Sequence, residues 1–248
     1  MTYTDGSLYL AKLERRSTLS PPARAAFLAM PGQREEFADN HDILSEGGRP
    51  RRSCFVESGF LSRSKGLRDG RRQIVGFHMR GDMVDLQSAL VVVADHTITA
   101  HTEASLISFA HGDVLKLAAD YPEIGRAFWF DTLVDAAIFR EWTLNVGQRN
   151  ATQATAHLLL ELHYRFQAVG LVQDDTFELP VTQAELADAL GISAVHTNRS
   201  LQALRASGLI RTFRKAVTIV DMDGMVKLAE FTDAYMHPEG PRQIAALQ

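Results

Sequence analysis

Cysteine is nearly absent from this chain: of 248 residues only Cys54 is one. No intramolecular disulfide can form, and no zinc or iron–sulfur site built on several cysteines can be assembled. That usage fits a reducing, cytoplasmic setting. Long apolar runs are missing as well. The longest lies near Ala89–Ala94, far below the roughly 20 residues that span a bilayer. The chain starts with an early acid, Asp5, and has no apolar run beside a basic cluster there, so no signal peptide is expected. An excess of positive charge is lacking too. The formal charge is −4, with 46% hydrophobic residues. This argues against polyanion binding by the whole surface and leaves room for one basic face, because the local field steers a ligand more than the sum does. The length suffices for one large domain or two modest ones.

What is present changes in character along the chain. Up to about Phe37, short amphipathic pieces surround the break Ser20-Pro21-Pro22 and predict a short helix or two. From about Asp42 to Phe109, turn signals recur at Gly47-Gly48, Ser58-Gly59, Asp69-Gly70 and Arg80-Gly81-Asp82. Runs such as Ser53–Glu57, Arg72–Met79, Thr97–Thr99 and Leu106–Phe109 lie between them and predict a small antiparallel sandwich or barrel. Asp69-Gly70 suits a type I′ hairpin turn. A helix is expected over His111–Ala119, then a long one over Glu123–Asn145. The long helix is apolar on more than one side; such a helix usually packs on two neighbours, the alternative being burial within a single chain. The candidates are its own β-domain and a second copy, with Phe128, Leu133, Ile138 and Trp142 as the dimerisation residues. Gly147-Gln148-Arg149-Asn150 marks a hinge. Ala151–Val169 resumes as a helix with Leu158, Leu159, Leu162 and Phe166 on one side. Asp174-Asp175 marks a loop, Leu209–Asp221 a hairpin, and Met225–Met236 a last helix.

The most informative stretch is "VTQAELADALGISAVHTNRSLQALRASGLI", Val181–Ile210. Thr182 followed by Glu185 is a capping box. Gly191 suits the left-handed residue that ends a helix, and Ser193 caps the next. On that second helix, Thr197, Leu201 and Leu204 share the inward face. The opposite face carries Val195, Arg199 and Gln202, with His196 and Asn198 at its rims. In a helix-turn-helix this face enters the major groove. Arg199 suits guanine, Gln202 or Asn198 adenine, and Val195 a thymine methyl. Acid is absent from Ala189 to Val220, a span holding Arg199, Arg205, Arg211, Arg214 and Lys215. Arg211, Arg214 and Lys215 on the hairpin are expected to contact the phosphate backbone. A plain helical corner would not need this agreement of caps, turn, polar face and charge.

Three segments resemble the Crp/Fnr family of transcription regulators: "FVESGFLSRSKGLRDGRRQIVGFHMRGDMVDL" (Phe55–Leu86), the helix ending "IFREWTLNVGQRN", and the stretch just described. The resemblance implies an α+β chain. Residues 1–122 would form an antiparallel, jelly-roll-like β-roll sensor of the cyclic-nucleotide-binding kind. Residues 123–147 would form the dimerisation helix, and 148–248 a winged helix-turn-helix. It implies a homodimer on a palindromic double-stranded operator, with RNA polymerase as a further partner. By the same resemblance Arg199 matches the family's shared arginine, and Thr182, Ser193 and His196 lie near phosphates. Gln183 and Ala194 complete the expected DNA-contacting set.

The departures are equally specific. The cAMP-binding branch supplies a glutamate for ribose and an Arg-Ser pair for phosphate. Here Leu86 falls near the glutamate position, and Ala94-Asp95 or Asp95-His96 stands where the pair belongs. No arginine occurs between Gly81 and Thr102. A cyclic phosphate would meet an acid rather than a guanidinium, so cAMP is not the expected signal. The cysteine cluster of the iron–sulfur branch is missing, and Cys54 reads as a small buried residue. His41, His78, His96, His101 and His111 are the conceivable haem ligands, yet isolated histidines on mixed strands are ordinarily structural. No cofactor, metal or catalytic residue is expected. The competing class is a cupin-like β-barrel metalloenzyme, which needs closely paired histidines on one strand. His96 and His101 are five apart and would face opposite ways on a regular strand. A regulator answering to cyclic nucleotide through an atypical pocket is the other alternative.

Overall fold

The computed structural model describes residues 6–238. Asp5 and the outer ends of the expected first and last segments, 1–5 and 239–248, lie outside them. The chain divides into two compact units. Of the described residues, one holds 6–65, Phe77–Ala137 and 236–238; the other holds Gly66–Gly76 and Ile138–Tyr235. The division falls inside the long helix rather than at its ends.

The first unit opens with helices α1 (Ser7–Arg16) and α2 (Pro21–Leu28). Strands β1 (Gly32–Phe37), β2 (Asp42–Leu44), β3 (Arg52–Ser58), β4 (Phe60–Gly66), β5 (Arg72–Met79), β6 (Thr97–Ala100) and β7 (Ala104–Ala110) form two sheets, the hairpin end of β4 and β5, Gly66–Gly76, being counted with the second unit. Their orders are β1-β7-β3 and β2-β6-β4-β5. β7 runs antiparallel to both of its neighbours. It is buried along nearly its whole length, because it is the middle strand of its sheet. A 3-10 turn, Leu86–Ala89, packs on β3, and helix α3 (His111–Asp120) packs on β7 and β3. Tyr9, Phe27, Phe55, Phe109 and Phe128 meet in one apolar core, with ring centroids 6.0 to 6.4 Å apart.

Helix α4 (Pro122–Gly147) shows which of its sides its own chain covers. Phe128 and Trp142, expected at a contact with a second chain, are enclosed instead. Phe128 stacks on Tyr9, and Trp142 donates its indole N–H to both carboxylate oxygens of buried Glu161, each at 3.1 Å. Ile138 is half-buried and Leu133 is exposed. The large apolar residues α4 leaves open are Trp129, Leu133, Phe139, Leu144 and Val146. A two-sided apolar helix does not itself say which side the core takes.

The second unit contains α5 (Ala151–Ala168), β8 (Thr176–Glu178), α6 (Gln183–Leu190), α7 (Ala194–Ala206), β9 (Ile210–Phe213), β10 (Ala216–Ile219) and α8 (Met222–Ala229). The strands form an antiparallel sheet in the order β8-β10-β9. Asn150 starts α5 with a capping box. α5 is not apolar on one side only: every residue from Ala154 to His163 is buried, because α7, α8, α6 and β8 all pack on it. The last helix is shorter than its expected range. α8 ends at Ala229, Glu230 after it takes a left-handed φ of 50°, and a separate 3-10 turn spans Ala234–Met236.

The Asp69-Gly70 turn also differs from its expected type. Gly70 has φ 86° while Asp69 is not among the residues with positive φ, so both central positions of a type I′ turn are not filled. Gly70 N–H donates to Leu67 O at 3.0 Å and Leu67 N–H to Arg71 O at 2.8 Å. This is a three-residue loop with glycine at the left-handed, bulge-forming position.

Candidate nucleic-acid interface

α6 and α7 are held at their ends by side chains already visible in the sequence. Thr182 Oγ1 accepts the Glu185 N–H at 3.2 Å, and Glu185 Oε2 accepts the Thr182 N–H at 2.7 Å. Gly191, at φ 67°, turns the chain out of α6; a side chain there would carry the left-handed penalty. Ser193 Oγ then accepts the His196 N–H at 3.3 Å and starts α7.

The inward face of α7 consists of Thr197, Ser200, Leu201 and Leu204, all buried. Ala194, Val195, His196, Arg199 and Gln202 are exposed, and Asn198 is half-buried beside them. Thr182 and Gln183, at the start of α6, are exposed as well. Gln183, Ala194, Val195, Asn198, Arg199 and Gln202 together line one shallow, open depression. It holds one cation, three amides and an apolar surface, Val195 being 61% exposed. Such a set can read base edges: guanidinium for guanine, amide for adenine, apolar surface for a thymine methyl.

The β9–β10 hairpin continues this acid-free surface. Arg211, Arg214 and Lys215 are exposed on it. Arg205 on α7 donates to Thr212 Oγ1 at 2.8 Å and braces the hairpin on the helix. Two features of this region escape sequence reading. Phe213 is 73% exposed at the hairpin end, and the Arg214 guanidinium carbon lies 5.4 Å from its ring centre. The tip of the β4–β5 hairpin packs with this unit: Arg72 places Nε and Nη2 on Asp188 Oδ2, at 3.0 and 2.9 Å. The only hint in the sequence is the run of arginines around Asp69-Gly70.

In the β-roll, Leu86 is buried in the apolar core. Asp95 is exposed and bonds His96 Nδ1 at 2.8 Å. Arg63, nearly buried on β4, donates to the Val84 carbonyl and pairs with Asp135 of α4. Cys54 is buried; its N–H donates to Asp85 Oδ1 at 2.7 Å, and burial beside that carboxylate pushes the thiol well up. His78, His96 and His101 are buried, and His101 bonds Ser62 Oγ at 2.8 Å. Among the described residues no three His, Cys, Asp or Glu side chains group as metal ligands, and no helix is long and apolar enough to cross a membrane.

Comparison with known proteins agrees with this geometry. Residues 153–228 match the Crp-like helix-turn-helix domain, and residues 34–121 match the cyclic nucleotide-binding domain. The chain is 30% identical to the transcriptional activator protein FnrL of Cereibacter sphaeroides, over 66% of this chain and 67% of that protein. It is 25% identical to the nitrogen fixation regulation protein FixK of Bradyrhizobium diazoefficiens, over 77% of this chain and 79% of that one. The structure of FixK2 from Bradyrhizobium japonicum shares the fold with a TM-score of 0.74 at 21% identity, covering 81% of this chain and 98% of that chain. A β-roll of the cyclic-nucleotide-binding kind, a long helix and a helix-turn-helix are thus combined in one chain, which belongs to the Crp/Fnr family of transcription regulators.

Proposed function

We propose that the protein binds a palindromic double-stranded DNA site as a homodimer and regulates transcription there together with RNA polymerase. It acts in the cytoplasm, as a binding protein rather than an enzyme. The observation that carries this reading is the exposed face of α7, flanked by a basic hairpin in a span without acid. α7 of each protomer enters the major groove, the two half-sites lying about 34 Å apart along the duplex. Arg199, Asn198, Gln202 and Val195 read bases. Thr182, Ser193 and His196, with Arg211, Arg214 and Lys215, lie along the backbone, and Gln183 and Ala194 line the same depression as the readers. The dimer forms along the face of α4 that its own chain leaves open, around Leu133. Domain limits near 122 and 147 follow from the same reading.

The signal is not cAMP. Leu86 stands in the apolar core rather than at a ribose, and the segment from Gly81 to Thr102 offers a phosphate no arginine. The test is selection from a random DNA pool with purified protein at stated salt. The expected product is a palindrome with guanine under Arg199 and thymine near Val195. Enrichment of no palindrome at low salt overturns the reading.

A further inference from the structure

The β4–β5 hairpin presents a cationic tip, Leu67-Arg68-Asp69-Gly70-Arg71, and that tip packs with the reader unit rather than with the β-roll. Two adjacent side chains make the contact. Arg72 directs two guanidinium nitrogens at Asp188 near the end of α6. Gln73 Nε2 donates to Ala189 O at 3.1 Å, a carbonyl in the last turn of α6, where helices lack internal donors. Gln73 Oε1 lies 3.3 Å from the place a Cβ on Gly191 would occupy. The clasp therefore seats on the turn that launches α7.

The electrostatic consequence is local. α6 carries two acids, Glu185 and Asp188. Glu185 is committed to the Thr182 cap, and Arg72 neutralises Asp188. Beyond the clasp, Arg68 and Arg71 are exposed, with Asp69 as the single acid of the tip, paired to Arg71 at 2.8 Å. An exposed pair of that kind is weak and is readily exchanged for a phosphate. The tip thus adds positive charge beside the end of the acid-free span that starts at Ala189.

We propose that Arg68 and Arg71 contact DNA phosphates flanking each half-site, so that the β4–β5 hairpin is part of the DNA interface. The inference rests on the DNA-binding reading above. Backbone contacts position a protein without reading bases, so the selected sequence does not depend on them. The salt dependence of affinity does, because each neutralised phosphate releases counterions.

The experiment measures binding of the full-length protein to its selected palindrome across a salt series. The Arg68→Ala/Arg71→Ala variant is expected to select the same sequence with a shallower log K against log[salt] slope, by about 0.9 for each phosphate left without its arginine. Asp188→Asn keeps every arginine and removes an acid, which on charge alone would strengthen binding. If the clasp positions the tip, its slope falls instead. Unchanged slopes in both variants overturn the inference. Unchanged slopes with abolished transcription in a purified RNA polymerase assay do so as well, and assign the tip to an acidic protein surface. Failure of the unmodified protein to enrich any DNA removes the underlying reading instead.

Discussion

Arg199 shares the exposed depression on α7 with Asn198 and Gln202 and no acid. Its long side chain is available to a base edge, and a bidentate guanidinium–guanine pair discriminates by about 1–3 kcal/mol. Arg199→Ala is therefore expected to lose about that much specific affinity per half-site, with unchanged circular dichroism. A titration against the palindrome and against a guanine-substituted site checks it; equal losses on both would show that Arg199 touches only the backbone. At this scale the sequence was largely readable. Thr182, Gly191 and Ser193 act within three or four residues of themselves, so their roles follow from spacing alone. Val195 was readable as outward-facing for the same reason. Phe213 was not: an aromatic residue in a short strand looks like core, and only the finished hairpin shows its ring open to solvent.

Among the elements, legibility tracked how local the cause is. β1 is not legible because "GQREEF" is polar and charged. It is a strand because its backbone pairs with β7 from Gly32↔Phe109 to Phe37↔Ala104, a partner far away in the chain. β8 is three residues long and exists through β10. The hairpin at Asp69-Gly70 was visible, but its docking on α6 depends on Asp188, more than 100 residues later. α4 was visible as a helix while the side its own core covers was not. That distinction makes a paired prediction. Phe128→Ala removes a ring packed on Tyr9 and Phe27 and is expected to cost about 3–5 kcal/mol of folding stability. Leu133→Glu, at a site 49% exposed, is expected to leave the fold intact and shift sedimentation from dimer to monomer. A Leu133→Glu protein that remains dimeric at micromolar concentration would place the dimer contact elsewhere.

For the whole molecule, charge is partitioned rather than averaged: an overall −4 coexists with a reader span free of acid. The join between α4 and α5 shows a second form of partition, since ionisable groups are drawn into it. Arg149 pairs with Glu141 at 2.7 Å and donates to Asn145 Oδ1 at 2.8 Å and Ala229 O at 3.2 Å. The break after Gly147 is thus a braced elbow. His157 is fully buried behind it, with Nδ1 3.1 Å from Asn145 Nδ2 and Nε2 3.2 Å from Glu141 Oε1. With Nδ1 accepting from the Asn145 amide, the single proton of the neutral imidazole sits on Nε2, and a second proton would have no acceptor at Nδ1. Burial, helped by the charge of Arg149, pushes the His157 pKa from 6.5 down to about 3. Unfolded, the same residue protonates near its ordinary value. Between pH 6.5 and about 3 the unfolded chain therefore binds the extra proton, and stability falls as pH falls. His163, also lowered by burial, acts in the same direction. Buried Glu161 and Asp85, whose pKa values burial raises, act in the opposite one. The difference between the unmodified protein and His157→Gln isolates the single residue. Denaturant unfolding at pH 6.5 and 4.5 is expected to show the unmodified protein losing about 1–3 kcal/mol more than the variant. Equal losses would mean that folded His157 accepts a proton in this range, and that the elbow opens to admit it.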